Sequence, residues 1–490
     1  MTSLVAFALA LLTPTAAAGQ ADIGGYFRVM GRPDLQGGNG RLGYWNLYGR
    51  LMNEGSYGML ELRYDVLPRE PGSAAPWSAV HARIEGGSIT NADAGNGNLG
   101  NFRLSQMYVR SGNVLLRDVT WQVGTLEYFF GDLGLYDMRP ATLMYGTVGA
   151  SATYDHGPVE LLVGAGDSGW WLYNTRYDAV PTGAVALRLR AAGKLEVGGG
   201  AEVRSERHVP GLVNAPYQTP GITYEDWIRG EVAEHYLAEF GEEQADYFPD
   251  PEPRTASSWL AVGYVGFGGF GPLLWNNLFL RYEHLHPQRS TFESLLGEDL
   301  ELFVHDFTDQ RTALTVGDEM QLRLIPNRLD AVVAGIWSDQ RDADNDIVPS
   351  DFDRTWGSTV QRLQIYTTPT VHLLLENAVA REWSRNGNAF REHADSIFSN
   401  TDGRPDTRGL ENGDSDTRKT WQGKGGVVLN PLGPGIFVRP SLRLLYGVQY
   451  SSQNNAFGNA FVETVDQANA FGNVEQHWHH LAAIEAEAWF

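Results

Sequence analysis

The end of the chain alternates strictly between two kinds of position. One face of the last ten residues is apolar and carries Ala482, Ile484, Ala486, Ala488 and Phe490. The other face has two carboxylates and an indole and carries Ala483, Glu485, Glu487 and Trp489. A period of two places these sets on opposite sides of a β-strand. Such a strand fits a soluble β-sandwich, but an aromatic residue at the chain end is typical of the girdle of a transmembrane β-barrel.

Short turns rich in Gly, Pro and Asn divide the rest of the chain into segments of similar pattern. We predict eight tight turns, at residues 53–56, 110–113, 155–158, 191–194, 268–272, 325–328, 367–370 and 430–435. Alternating runs flank each of them, as they flank hairpin turns. Eight turns leave nine segments, and one strand up and one strand down in each segment gives 9 × 2 = 18 strands.

These strands predict an all-β fold, an 18-stranded antiparallel transmembrane β-barrel. An even number of strands, with short turns at one rim and long loops at the other, is typical of outer-membrane proteins. Eighteen strands enclose a lumen wide enough for water. A soluble propeller or solenoid would show a recurring sequence period, and none is visible. After the first twenty residues, no apolar run approaches the roughly 18 residues of a membrane helix.

The first 21 residues are predicted to be a secretory signal peptide. Residues 1–12 are mainly apolar, and small residues follow at 13–18, which is the composition of such a peptide and its cleavage region. Cleavage after Ala18 and cleavage after Ala21 both fit. The barrel is then expected to occupy residues 22–490, and a buried N-terminal helix is the alternative.

Composition narrows the classes of function. The chain has 37 basic and 59 acidic residues and a net charge of -22, which argues against nucleic acid as a partner. It has no Cys, so disulfides, thiolate metal sites and cysteine nucleophiles are excluded. His284 and His286 lack a partner motif, and we find no credible Ser/His/acid set. We therefore expect no metal, no cofactor and no catalytic residue.

Charged and aromatic residues near the start of the predicted barrel are candidates for contact with a solute. They fall in residues 25–28, in 41–48, which we predict to be the second strand, in 102–103 and in 124–137. Guanidinium and carboxylate groups bind vicinal hydroxyls, and aromatic rings cover the apolar faces of sugars. A series of weak sites lets a solute enter and leave a pore. This combination suits a sugar-conducting channel.

The order of these motifs resembles the maltoporin family of outer-membrane sugar porins. The matching motifs are Gly-Tyr-x-Arg at 25–28, Arg-Leu-Gly with Tyr at 41–48, Phe-Arg at 102–103, the Gly, Tyr and Asp positions of 124–137, Val-Arg-Pro-Ser-Leu-Arg at 438–443 with Tyr446, Asn-Ala-Phe-Gly at 455–458 and Glu-Ala-Trp-Phe at 487–490. The resemblance implies a homotrimer of 18-stranded barrels in the outer membrane of a Gram-negative cell. It also implies a third loop that folds inward and constricts the pore.

The resemblance further implies roles for individual residues. An aromatic slide for maltodextrins would comprise Tyr26, Tyr48, Tyr366 and Trp489. A polar track would comprise Arg28, Arg41, Arg103, Asp132 and Asp137. The chain departs from the family at Arg50, where a track glutamate is expected, and at Arg139, where a tyrosine is expected. As alternatives, the tyrosines could belong to the outer girdle, and Arg103 and the two aspartates could be ion pairs that hold the third loop.

The sequence thus predicts a non-enzymatic outer-membrane porin through which maltodextrin-like oligosaccharides, small solutes and ions diffuse. A general porin, or one tuned to another sugar, is the nearest alternative because the polar track is altered. A barrel enzyme would need a catalytic set that we do not find. An adhesin would have a plugged lumen. The expected partners are the oligosaccharide, outer-membrane lipid and two further copies of the chain.

Overall fold

The structure is a computed structural model that describes most of the predicted barrel. The described residues are 19–34, 36, 42–43, 45–70, 72–86, 102–169, 179–209, 254–286, 291–294, 301–304, 311–342, 354–384, 417–452 and 476–490. Residues 1–18 of the predicted signal peptide and Arg41 lie outside these ranges.

The described elements are nearly all strands. In chain order, β1 to β11 are Gln20–Gly31, Tyr57–Leu67, Trp77–Gly86, Phe102–Gly112, Val119–Phe129, Thr142–His156, Val159–Asp167, Pro181–Ala191, Leu195–Val209, Arg254–Phe270 and Leu273–His286. β12 to β20 are Thr291–Ser294, Glu301–Val304, Arg311–Ile325, Leu329–Asp342, Arg354–Tyr366, Val371–Ser384, Thr417–Leu429, Ser441–Ser451 and Trp478–Trp489. One short helix, α1, covers Trp45–Tyr48. No helix of the described residues is long and apolar enough to cross a membrane.

Eighteen of these strands form one closed antiparallel sheet, and β12 and β13 form a separate hairpin. Each barrel strand pairs with the strands before and after it in the chain. The barrel closes where β1 pairs with β20, with Tyr26 opposite Trp489 and Gly31 opposite Ile484. Closure leaves no unpaired sheet edge, which is what a strand-built protein requires in lipid. The predicted 18-stranded antiparallel barrel is therefore confirmed.

The predicted turns agree with the strand ends except near the start of the chain. Short turns join β6 to β7, β8 to β9, β10 to β11, β14 to β15, β16 to β17 and β18 to β19 where we predicted them, and the β4–β5 turn is shifted to residues 113–118. The predicted turn at 53–56 is wrong, because these residues end the long β1–β2 connection. The turn at 68–76 was missed. The predicted second strand at 41–48 is also wrong, since α1 lies there.

The outer face of the barrel is apolar. Exposed side chains alternate with buried ones along the strands, and the exposed set includes Phe27, Val163, Leu187, Leu444 and Ile484. On β20 the predicted faces are both observed: Ile484 is 56% exposed, whereas Glu485 and Glu487 are each 2% exposed. An apolar belt on the outside and charges on the inside fit a barrel that contacts lipid.

Among the described residues, two segments of the chain fold into the interior from the long-loop end. The third loop, residues 130–141, connects β5 to β6, and Leu133, Leu135 and Tyr136 in it are fully buried. The first inward segment, residues 45–56, contains α1 and ends at β2. Both pack against apolar side chains on the inner faces of the barrel strands, such as Val360 and Phe279. An inward-folded constriction loop is thus present at the predicted place.

A charge on the outer face tests this assignment. Ile484→Arg should lower the free energy of unfolding by about 2–4 kcal/mol, because a cation at the middle of the apolar belt is poorly solvated. The control is Leu432→Arg, the same kind of change in the β18–β19 turn, where Leu432 is 70% exposed. Urea unfolding in lipid vesicles measures both. Equal effects of the two substitutions would contradict the assignment.

Candidate functional site

The third loop crosses the lumen and is fixed to the far wall by hydrogen bonds. Asn277 Nδ2 on β11 donates to the carbonyl oxygen of Asp132 at 2.9 Å. The backbone N–H of Leu135 donates to Glu319 Oε2 on β14 at 2.8 Å. Tyr136 and Ser358 on β16 share a hydrogen bond of 2.9 Å. Contacts to three wall strands hold the loop in one place.

The first inward segment is fixed to another part of the wall. Lys424 Nζ on β18 donates to the carbonyl oxygen of Tyr48 at 2.9 Å and also contacts Glu376 Oε1 at 2.9 Å. Asn53 Nδ2 donates to Gln422 Oε1 at 3.1 Å. The side chains of Lys424 and Glu376 are fully buried. Because they form an ion pair with each other, neither buried charge is left without a partner.

Arg50 joins the two inward segments to the strand that closes the barrel. Its backbone N–H donates to the carbonyl oxygen of Leu135 in the third loop at 2.7 Å. Its guanidinium lies 3.2 Å from Glu54, 3.0 Å from Glu487 on β20 and 3.7 Å from Asp137 in the third loop. We call these contacts of Arg50 the Arg50 clasp. It links the third loop to the first inward segment and to β20.

A row of ion pairs lines the part of the inner barrel wall that the two inward segments do not cover. Three members on β2 to β4 are Arg63–Asp65 at 2.8 Å, Arg83–Glu61 at 2.6 Å and Arg103–Glu85 at 3.3 Å. A fourth pair, Arg139–Glu127 at 3.5 Å, joins the third loop to β5. The open side of the lumen is therefore bordered by guanidinium and carboxylate groups.

Tyr26 and Trp489, two of the slide candidates, are in contact with each other. Their ring centroids are 4.4 Å apart, and both residues lie on the inner face. The Tyr26 hydroxyl donates to Glu487 Oε1 at 2.7 Å and accepts from Arg50 at 2.9 Å. Tyr26 is only 6% exposed, whereas Trp489 is 56% exposed. Trp489 is thus the member of this pair that offers a face to a solute.

The other two slide candidates are buried. Tyr48 has no exposed surface and donates to Thr420 Oγ1 at 3.2 Å, because α1 lies against the wall. Tyr366 is 3% exposed and donates to Asp330 Oδ2 at 2.7 Å. In this structure neither ring has surface for a sugar to cover.

The polar-track candidates are divided between two places. Arg28 is buried and pairs with Glu54 beside the Arg50 clasp. Arg103 is on β4 and pairs with Glu85, which also accepts a hydrogen bond from Tyr57, and its side chain is 58% exposed. Asp132 and Asp137 are exposed residues of the third loop, and Asp137 belongs to the Arg50 clasp. Arg41 lies outside the described residues.

Sequence reasoning did not identify the groups that organise the site. Arg50 was noted only as a departure from the family, and Arg63 and Arg83 were not singled out. The alternation of β20 already turned Glu487 inward, and an inward carboxylate next to the closure needs a cation. That signal could have pointed to a cationic partner, but only the fold shows that it is Arg50. Among the described residues, no cluster of His, Asp and Glu is arranged to hold a metal ion.

The two third-loop aspartates differ in their affinity for protons. Confinement inside the barrel raises the pKa of Asp132 above its ordinary value of 3.8, and the nearby Arg139 offsets this only in part. Confinement acts in the same direction on Asp137, but Arg50 and a hydrogen bond from Glu54 outweigh it and lower the pKa of Asp137. Asp137 therefore stays charged to a lower pH than Asp132.

The fold and this interior define a transmembrane β-barrel whose lumen is narrowed by its own loops. No family model matches the chain, and no curated protein matches it. Similar solved structures include the outer membrane channel DcaP of Acinetobacter baumannii (9% identity, 98% of this chain and 99% of that chain, TM-score 0.44). OccAB2 of the same organism (7%, 96% and 98%, 0.42) and Pseudomonas aeruginosa OprD (8%, 96% and 95%, 0.40) are also similar. Because these TM-scores are low, the fold assignment rests on the strand pairings themselves.

Removal of the Arg50 guanidinium should release the third loop. Arg50→Gln removes one cation from Glu487 and Glu54, which keep Arg439 and Arg28 as partners, so the expected cost is that of lost hydrogen bonds to charged groups, about 1.5–3 kcal/mol. We expect larger and noisier single-channel currents and a lower free energy of unfolding. The control is Arg63→Gln, which removes a cation that is 46% exposed, with an expected cost below about 1 kcal/mol. Identical noise and stability in the two variants would contradict the role of Arg50.

The two aspartates should titrate in a defined order. As the pH falls, Asp132 takes up its proton above pH 3.8 and Asp137 below it, so the ratio of cation to anion permeability should decrease in two steps. Reversal potentials in a KCl gradient measure this ratio. Asp132→Asn should remove the upper step only, and Asp137→Asn the lower step only. The order is wrong if Asp137→Asn abolishes the upper step.

Proposed function

We propose that this chain is an outer-membrane channel through which small polar solutes and ions diffuse down their gradients. The observation that carries the proposal is the row of ion pairs on the open side of the lumen, one of which involves the third loop. A wall of charged groups keeps water in a passage and gives a polar solute a series of weak contacts. The apolar outer face supports the membrane location.

The exposure of these pairs favours solutes that carry a carboxylate or another anionic group. In three of the four pairs the guanidinium is the more exposed partner: 46% against 10% for Arg63–Asp65, 58% against 17% for Arg103–Glu85, and 43% against 18% for Arg139–Glu127. Arg83–Glu61 is the exception, at 21% against 33%. A guanidinium turned towards water can bind a carboxylate through two parallel hydrogen bonds.

A cavity continues this wall towards the short-turn end of the barrel. Its volume is about 430 Å³, and its lining includes Arg69, Arg110, Arg117, Trp77 and Tyr128. Arg110 donates through Nε to Gln122 at 2.7 Å and lies over the Tyr108 ring. The lining also includes carboxylates, namely Glu70, Asp118, Glu127, Asp155 and Glu160, so the cavity offers a solute charges of both signs.

An oligosaccharide is the second candidate solute, as the resemblance to maltoporins implies. The exposed Trp489 ring next to Tyr26, with Glu487 and Arg50 beside it, supports this candidate, since sugars bind where a ring adjoins charged groups. The burial of Tyr48 and Tyr366 shortens the aromatic slide that the family would use. The homotrimer, the signal peptide and the absence of catalysis stay predictions.

Current block in planar bilayers tests the solute class. Small dicarboxylates should reduce the single-channel current saturably, and Arg103→Gln should weaken this block several-fold because it removes the most exposed guanidinium of the row. Maltodextrins of increasing length are the matched comparison. If they block more tightly with length and Trp489→Ala relieves that block, the oligosaccharide candidate replaces the anion. A protein that forms no conducting pore would refute the channel itself.

A further inference from the structure

Two cations face outward side by side near the long-loop end of the barrel. Arg381 on β17 is directly opposite Lys419 on β18 in the register of the two strands, and both residues are exposed. Their chain neighbours Glu382 and Arg418 point inward and form a buried ion pair, which fixes the direction of both cations. Like charges directly opposite each other in a sheet are destabilising. An anion bound between them would remove this cost.

The position of this pair coincides with the upper edge of the apolar belt. Val371 is the first residue of β17 and, like Arg381, faces outward. The ten-residue interval from 371 to 381 spans roughly 33 Å along the strand. With a strand tilt of about 40°, the rise is about 25 Å, which is the usual height of the apolar belt. Arg381 and Lys419 therefore lie at the level of lipid headgroups.

Two tryptophans lie next to the cations on the outer face. Trp421 is the next outward residue after Lys419 and is 37% exposed. Trp337 is 41% exposed, and its ring lies beside Gly357, the residue opposite Arg381 on the neighbouring strand. Tryptophan is enriched where acyl chains meet headgroups. The cations are thus accompanied by the rings that would contact the lipid below its headgroup.

Neither cation is neutralised by the described part of the protein. Within the described residues, the Arg381 and Lys419 side chains have no ion pair or hydrogen bond; the backbone N–H of Lys419 donates to Ser452 Oγ at 2.8 Å. Asp339, an acid on the outer face of β15, is already bound by Arg341 at 2.9 Å and by Thr355 at 2.5 Å. The counter-charge is therefore expected from outside the described protein.

We propose that Arg381 and Lys419 bind the phosphate group of an anionic lipid in the leaflet at the long-loop end. A phosphate monoester offers several oxygens to two cations at once, and its acyl chains would lie against Trp421 and the belt below. A free phosphate ion lacks the apolar part that the tryptophans contact. The site is independent of the solute that passes through the lumen.

Native mass spectrometry of the full protein in a phosphate-free maltoside detergent tests the proposal. Wild-type protein should retain added phosphatidic acid but not diacylglycerol, which lacks the phosphate. Arg381→Gln with Lys419→Gln should weaken retention roughly 30-fold, from the usual contribution of two cations near a lipid surface. The control is Arg328→Gln, which removes an exposed cation at the opposite rim and should retain the lipid as wild type does.

The outcomes are decisive in either direction. Equal retention by the double variant and wild type, or saturable binding of inorganic phosphate that displaces phosphatidic acid, would overturn the proposal. If the double variant does not fold, the single variants Lys419→Gln and Lys419→Arg replace it in the same retention experiment. Weakened retention in Lys419→Gln and preserved retention in Lys419→Arg support the site, and equal retention in both overturns it.

Discussion

The structure depends on the neutralisation of inward carboxylates at the place where the barrel closes. Glu487 on the last strand is buried, and a buried carboxylate without a cation would destabilise the closure by several kcal/mol. Arg50 meets it at 3.0 Å, together with Arg439 at 2.6 Å. Because Arg50 also binds the third loop, the interaction that completes the barrel is the same one that fixes its constriction. Closure and pore shape are therefore coupled through one side chain.

The interior consists of two parts with different physical character. On one side, the third loop and the first inward segment pack through apolar side chains onto the wall, and these contacts resemble the core of a soluble protein. On the other side, charged groups on β2 to β5 remain partly exposed. The apolar packing gives the loops a fixed position, whereas the charged side leaves room for water. A lumen of 18 strands is wide enough to accommodate both.

The sequence predicted what depends on local pattern. The alternation of residues 481–490 gave the correct faces of β20, and the number of predicted turns gave the correct number of strands because the wrong turn at 53–56 and the missed turn at 68–76 cancel. It did not predict what depends on long-range contact. Residues 41–48 contain the aromatic residues typical of a strand, but α1 forms there because Tyr48 and Leu47 are buried against the opposite wall. The same burial removes Tyr48 from the lumen, and nothing local to the sequence indicates it.

The central claim is that Arg50 holds the third loop against the wall, and the accessibility of the loop tests it most directly. The chain has no cysteine, so Leu135→Cys would carry the single thiol at a fully buried position of the loop. The rate at which a water-soluble thiol reagent labels this cysteine should be low, and it should increase at least tenfold when Arg50→Gln is added. Rapid labelling with Arg50 intact, or a rate that Arg50→Gln leaves unchanged, would contradict the claim.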